Sequence, residues 1–436
     1  MKKTTLARLG RARCPQRAAS PPRRAGDSVP YLCSPIRRDQ ADSASGQRPL
    51  GGSVVFLSLL ALATSGLAQV ELPITKTFEP GNTPPIWISM SGFTGEALQV
   101  LEFDLYVQGF AFTNSSAAQY VLSGSNNGNL QGRAVDPHNK STLVSKAYSV
   151  ASLRRQVHFF ADDFVNAIPQ HKGVAQTKIA FKNDTGSHSE IYIADFDGHN
   201  AQAATSDNSI VAAPCWVPGQ QALYYTSYKL NHPDIFYHDL QTATRRIFAR
   251  HGGSNISPAV SPDGHKVAMI LSKDGWTDLY VGNADGSGLT RLTKSPEDES
   301  SPCWSPDGKW ICFAAKLKER RSLCKISASG GELQRISAIG VLNPTEPDWS
   351  PDGKWIVFTA MMGGFEICVV PSQGGKVFEL VAGEDPSWAP NSRTVVFARR
   401  HGGGRTLCLL DVPTKQVKDV SRFSGSSSQS QPSWAK

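Results

Sequence analysis

The 436-residue sequence contains no hydrophobic run long enough to cross a bilayer as a helix. Its one marked apolar stretch, residues 54–63, is about ten residues long, roughly half of a span. There is no Cys-x-x-Cys pair, no Cys/His spacing suited to zinc, and no Gly-x-Ser-x-Gly elbow. These absences argue against a full-length helical membrane span and exclude a zinc module and an α/β-hydrolase site. Net positive charge is also missing from most of the chain. Residues 1–50 hold eleven Lys/Arg against three Asp, which equals the net +8 of the whole protein and leaves the remainder near neutral. No basic patch is left to meet nucleic acid.

What is present is a repeat. Ser-Pro-Asp-Gly occurs at residues 261–264, 305–308 and 350–353, with steps of 44 and 45 between copies. Proline presets the first corner of a type I turn, Asp tolerates the second, and Gly takes the left-handed conformation that re-registers the next strand. Degenerate copies at Trp216-Val-Pro-Gly219 and Trp388-Ala-Pro-Asn391 extend the series. The anchors Trp216, Val260, Trp304, Trp349, Trp388 and Trp434 then follow at steps of 44, 44, 45, 39 and 46. A period in the forties with strand–turn–strand content is the signature of a β-propeller. A third strand with period-2 alternation completes each copy, as in Ile191-Tyr-Ile193, Leu279-Tyr-Val281 and Leu407-Cys-Leu409.

The copy around Lys178-Ile-Ala-Phe181 and Glu190-Ile-Tyr-Ile193 lacks its tryptophan strand, and the terminal Gln431-Pro-Ser-Trp434 supplies one. Pairing the two gives six blades and removes the free sheet edge. The fold expected is mainly β: a six-bladed propeller over residues 174–436, preceded by a small α/β domain. That domain, with its arm, occupies residues 69–173. Residues 96–108 place Leu98, Leu101 and Leu105 at helical spacing, and residues 152–168 place Leu153, Val157, Phe160, Phe164 and Ile168 on one face before Pro169. Residues 1–68 read as a basic leader and secretory signal, with small residues Gly66 and Ala68 setting cleavage after Ala68. A disordered arm with a signal anchor is the alternative, and a downstream start is another, since no Met lies between Met1 and Met90.

Of eight cysteines, Cys14 and Cys33 fall in the leader. Cys324, Cys368 and Cys408 take the third-strand slot filled elsewhere by Tyr192 and Tyr280, a packing position. Cys312 and Cys324 sit on neighbouring strands of one blade, which leaves a disulfide between them open.

Asp195-Phe-Asp-Gly198-His-Asn200, following Glu190-Ile-Tyr-Ile193, resembles the first-blade segment of the TolB family. Thr177-Lys-Ile-Ala-Phe181 is similar to the strand that opens the TolB propeller. Asp104-Leu105 and Gly109 resemble a motif of its N-terminal domain, with aromatics at Phe110 and Phe112. The resemblance covers residues 95–436. It implies a non-enzymatic periplasmic component of a Tol–Pal system, supporting outer-membrane integrity and cell division. The implied partners are a peptidoglycan-associated lipoprotein (Pal) on the propeller and TolA on the N-terminal arm. No cofactor or metal is implied.

The alternative is a secreted propeller enzyme or carbohydrate-binding protein, but the sequence offers no catalytic set. His401-Gly-Gly-Gly404 matches an oxyanion-hole string, yet it lies between two strands where a hairpin turn is required. Binding is placed on the segments before each anchor, at residues 251–257, 296–301, 343–346 and 383–385, expected to be loops around the channel mouth. The candidates are His251, Glu299, Ser300, Glu346, Glu384 and Asp385; His251 and Ser300 fall at slots used by the resembling family. The carboxylates would make that mouth acidic, which leaves a bound cation open as well.

Overall fold

A computed structural model describes residues 79–150, 152–420 and 427–436. The expected leader, export signal and arm, through residue 78, lie outside the described residues. The described residues all fall within one compact unit. Among the described residues, no helix is long and apolar enough to cross a membrane.

The α/β region opens on β1 (Ile86–Ser91) and α1 (Gly95–Tyr106), followed by β2 (Phe110–Phe112), β3 (Tyr120–Ser125), β4 (Leu130–Asp136), β5 (Ser141–Tyr148) and α2 (Leu153–Asn166). The sheet order is β2-β1-β3-β4-β5, with β1 parallel to both of its neighbours. Ser152 caps α2 by accepting the Arg155 N–H at 3.3 Å, which satisfies one of the orphan donors of the first turn. The expected apolar faces are the buried ones: Leu101 and Leu105 on α1, and Val157, Phe160 and Phe164 on α2, form one core with Ile88 and Leu122 of the sheet.

Six four-stranded sheets follow. Their innermost strands are Val211–Trp216, Asn255–Val260, Glu299–Trp304, Leu342–Trp349, Glu384–Trp388 and Ser428–Trp434. The last of these pairs antiparallel with Lys178–Asp184, so blade 1 takes three strands from the start of the propeller and one from its end. The repeated turns work as their chemistry requires. In each Ser-Pro-Asp-Gly copy the Gly N–H bonds the Ser carbonyl at 2.8–2.9 Å, with Gly φ between 68 and 77. Asp263, Asp307 and Asp352 each accept the serine hydroxyl and the N–H two residues on. Two of the tryptophans bind one blade to the next: Trp304 Nε1 donates to the Ala259 carbonyl at 2.9 Å, and Trp216 Nε1 to that of Ser433 at 3.0 Å. Cys324, Cys368 and Cys408 are fully buried in the third strands, as the packing reading expects.

The two regions share a core. Phe196 and Val420 of the propeller belong to the same apolar cluster as the helices of the α/β region. Polar contacts meet at the end of blades 1 and 6 that carries the interstrand turns. Thr394 Oγ1 donates to the Val107 carbonyl, Gln416 Nε2 donates to that of Phe110, and Arg154 pairs with Asp197. His158 lies buried there, 2.7 Å from Asp104 Oδ2. Asp197 belongs to the Asp195-Phe-Asp-Gly198 segment, and Gly198 (φ 81) closes against Val420: a Cβ at Gly198 would stand 1.8 Å from the Val420 carbonyl oxygen.

Candidate functional site: the channel mouth

The segments expected to be inter-blade loops are, for the most part, strand. Glu299, Ser300, Glu346, Glu384 and Asp385 all lie inside innermost strands, and of the six candidates only His251 remains outside one. The reason is a bulge that each innermost strand contains. The ladder slips at every one, and the residue at the slip stands directly before a proline. These residues are Ala213, Ser257, Ser301, Glu346, Asp385 and Gln431, and all six are left-handed, with φ from 48 to 56. That conformation is costly for any residue with a Cβ. Strain at one equivalent point of every blade marks a place the fold over-determines.

The six pre-proline residues and their prolines line a channel of about 530 Å³, which runs to the prolines of the interstrand turns. At the far end the Lys436 ammonium meets Asp348 Oδ1 and Oδ2 at 2.8 and 2.9 Å. Asp348 also accepts the Trp388 N–H at 2.8 Å.

At the mouth the carboxylates divide. Glu346 and Asp385 come together. Glu346 Oε2 accepts the Thr359 hydroxyl at 2.7 Å and the Asp385 N–H at 3.0 Å, and Asp385 Oδ2 accepts the Gln431 N–H at 3.0 Å. Burial first, and the Glu346 charge second, push the Asp385 carboxyl up to about 8, so this acid holds its proton at neutral pH. Ala213 continues the ring by donating its N–H to Gln431 Oε1 at 3.0 Å.

Glu299 and Glu384 do not join that cluster. Glu299 is buried against blade 3, where it accepts the Leu279 N–H and the Thr293 hydroxyl. Burial pushes it up to about 7. Glu384 is buried beneath Arg400 and Arg405, at 3.1 and 2.5 Å. Burial raises its pKa, but the two guanidiniums outweigh that and hold it below the usual glutamate value. The mouth is therefore less acidic than a count of its carboxylates suggests. Among the described residues no three His, Cys, Asp or Glu converge as a metal site. Ser300 is half-buried, with its hydroxyl 3.3 Å from Arg321 Nη1, and His251 is exposed beside the mouth. Its N–H is tied to Asn255 Oδ1 at 2.8 Å, which orders the loop. His401-Gly-Gly-Gly404 forms the expected hairpin turn, closed by two residues, Gly402 and Gly403, at φ 55 and 91.

The bulge residues Ala213, Ser257, Ser301 and Gln431 were missed as site residues. Their signal was available, since each stands before the proline of an x-Pro-x-Trp or x-Pro-x-Val anchor.

Residues 165–436 match the family described as PD40, the TolB β-propeller domain. A curated relative, the Tol-Pal system protein TolB of Bordetella pertussis, is 31% identical over 203 residues, which is 46% of this chain and 46% of that protein. The protein of the same name from Bordetella bronchiseptica gives the same figures. The chain thus matches under half the length of these relatives. The crystal structure of TolB from Acinetobacter baumannii has the same fold, with TM-score 0.73 at 21% identity, covering 82% of this chain and 98% of that one.

Proposed function

This chain belongs to the TolB β-propeller family, and from that premise we propose that it is a non-catalytic, periplasmic interaction component of a Tol–Pal-type system. Its partner on the propeller is a Pal-like peptidoglycan-associated lipoprotein. The arm that precedes the α/β region is the segment that would engage TolA, and export through the leader delivers the protein to the periplasm. The role is support of outer-membrane integrity and division.

The observation that carries the reading is the ring of six left-handed, pre-proline bulges around the channel mouth. The α/β region bonds to the propeller at the turn end, opposite these bulges, so the mouth stays available to a second protein. A rigid rim with exposed His251 beside it and half-buried Ser300 is a preorganised docking face: little ordering entropy remains to be lost on binding. Partner contact falls to His251, Ser300, Glu346 and Asp385, while Glu299 and Glu384 shape the rim from beneath.

Calorimetry with the periplasmic domain of the same organism's Pal-like lipoprotein tests this. Binding weakened by His251→Ala supports both the partner and the face. Binding unaffected by that change moves the contact elsewhere on the rim. No binding at all removes the reading and favours a secreted propeller with another ligand.

A further inference from the structure

The six cysteines among the described residues are thiols in this structure, five of them buried. The pair left open by sequence, Cys312 with Cys324, is excluded by the blade. Cys312 stands opposite Lys325, and Phe313 stands opposite Cys324. Successive side chains point to opposite faces of a strand, so these two thiols sit on opposite faces of blade 4. Their packing agrees: Cys312 faces Trp349 and Phe358 of blade 5, and Cys324 joins Leu279 and Val281 of blade 3.

A different pair is aligned. Cys303 of the innermost strand and Cys312 of the next are direct antiparallel partners and share the face toward blade 5. Opposed residues in such a ladder have Cα atoms about 4.5–5.5 Å apart, inside the roughly 4.4–6.8 Å that a disulfide spans. Both thiols are buried in the same apolar cluster, and Cys303 lines the channel.

We propose that Cys303 and Cys312 are a modification site, oxidised to a cross-strand disulfide that staples the innermost strand of blade 4 to its neighbour. The oxidant is a small-molecule disulfide or a thiol–disulfide oxidoreductase. One cysteine thiolate attacks the donor disulfide and releases its first thiol. The second cysteine then displaces the remaining half as a second thiol. The two cysteines are oxidised, the donor is reduced to two thiols, and the two cysteine protons end on them. Burial, and then the neighbouring Cys312, hold the Cys303 thiol well above its ordinary range. Exchange in the folded ring is therefore slow, and the bond is installed while blade 4 assembles. Its effect is local: Ser301, the left-handed residue of this innermost strand, lies two positions before Cys303 and is fixed with it.

The test is refolding of the full chain from denaturant in a buffer of reduced and oxidised glutathione, followed by alkylation, intact mass and peptide mapping. The expected product has lost the mass of two hydrogens and yields one cross-linked peptide pair, containing Cys303 and Cys312. Cys324→Ser retains that link and Cys312→Ser loses it. If Cys312→Ser fails to give a cooperative melt, Cys303→Ala reports the same loss. A folded chain in which every thiol is alkylated, or one linked through Cys324, Cys14 or Cys33, overturns the proposal.

Discussion

Glu346 Oε2 accepts the backbone N–H of Asp385 at 3.0 Å, across the seam between blades 5 and 6. The motif then advances around the ring: the Asp385 side chain holds the N–H of Gln431, and the Gln431 side chain that of Ala213. Three of the six bulges, at Asp385, Gln431 and Ala213, are thus fixed by the side chain of the bulge before them, which satisfies a donor that the slipped ladder leaves unpaired.

That arrangement makes stability pH-dependent with a definite sign. Asp385 has a folded pKa of about 8 against 3.8 for the free side chain. Between those values the folded protein binds more protons than the unfolded chain, so stability falls as pH rises through the window. Glu299, at about 7, and Asp104, raised by burial to about 6, act in the same direction. The urea midpoint is expected to drop steadily from pH 5 to pH 8.5, by the rules of linkage. Asp385→Asn should flatten the upper part of that curve. A midpoint that rises between pH 6 and 8 in the parent protein contradicts the raised Asp385 carboxyl.

Gly198→Ala is expected to destabilise by about 2–4 kcal/mol, since left-handed strain adds to a clash with backbone. The added Cβ meets the Val420 carbonyl oxygen at 1.8 Å. Gly264→Ala is the control: its Cβ has nothing within 4 Å, which leaves only the conformational term of about 1–2 kcal/mol. Denaturant unfolding of the two variants side by side measures the difference.

Rim residues should separate by what they touch. Glu384→Ala leaves Arg400 and Arg405 without their shared carboxylate and should cost about 1–3 kcal/mol. Glu299→Gln keeps an acceptor for Leu279 and Thr293 and should leave partner affinity unchanged. His251→Ala changes an exposed side chain, so stability should stay within about 0.5 kcal/mol while partner affinity falls. Parallel melts and calorimetry on the three variants give the comparison; an affinity loss at Glu299→Gln equal to that at His251→Ala would falsify the division.

The blades were legible because their information is local. A Ser-Pro-Asp-Gly turn carries its own hydrogen bonds, and a strand missing at one end of the propeller matches a spare strand at the other. The bulges were not legible as strand because proline within a run reads as a break. An innermost strand tolerates Pro214, Pro302 and their equivalents because it is an edge strand whose second side faces the channel. The directions of the carboxylates were hidden for a related reason. An extra residue at a bulge reverses which face the next side chain takes, so Glu299 turns inward two positions before Ser301. The same alternation separated Cys312 from Cys324, although neighbouring strands carry them.

Trp434→Ala should cost about 3–5 kcal/mol, as for other fully buried aromatics. Its indole is 1% exposed and donates to Thr177 Oγ1 at 2.7 Å. The variant should also lose protection from hydrogen exchange in Lys178–Asp184 before any other innermost pairing, because that strand has Ser428–Trp434 as its partner.

The joint in blade 1 imposes an order in time. Gln429 bonds Asn183 across 246 positions of sequence, and contacts of that separation are slow to find. Blades 2 to 6 consist of neighbours in the chain and assemble locally. Until the last strand arrives, Lys178–Asp184 presents a bare edge, and a nascent copy in that state is open to pairing with the terminal strand of a second molecule. The closing strand is therefore a checkpoint of synthesis: a chain interrupted before residue 428 is a ring that can close only on someone else.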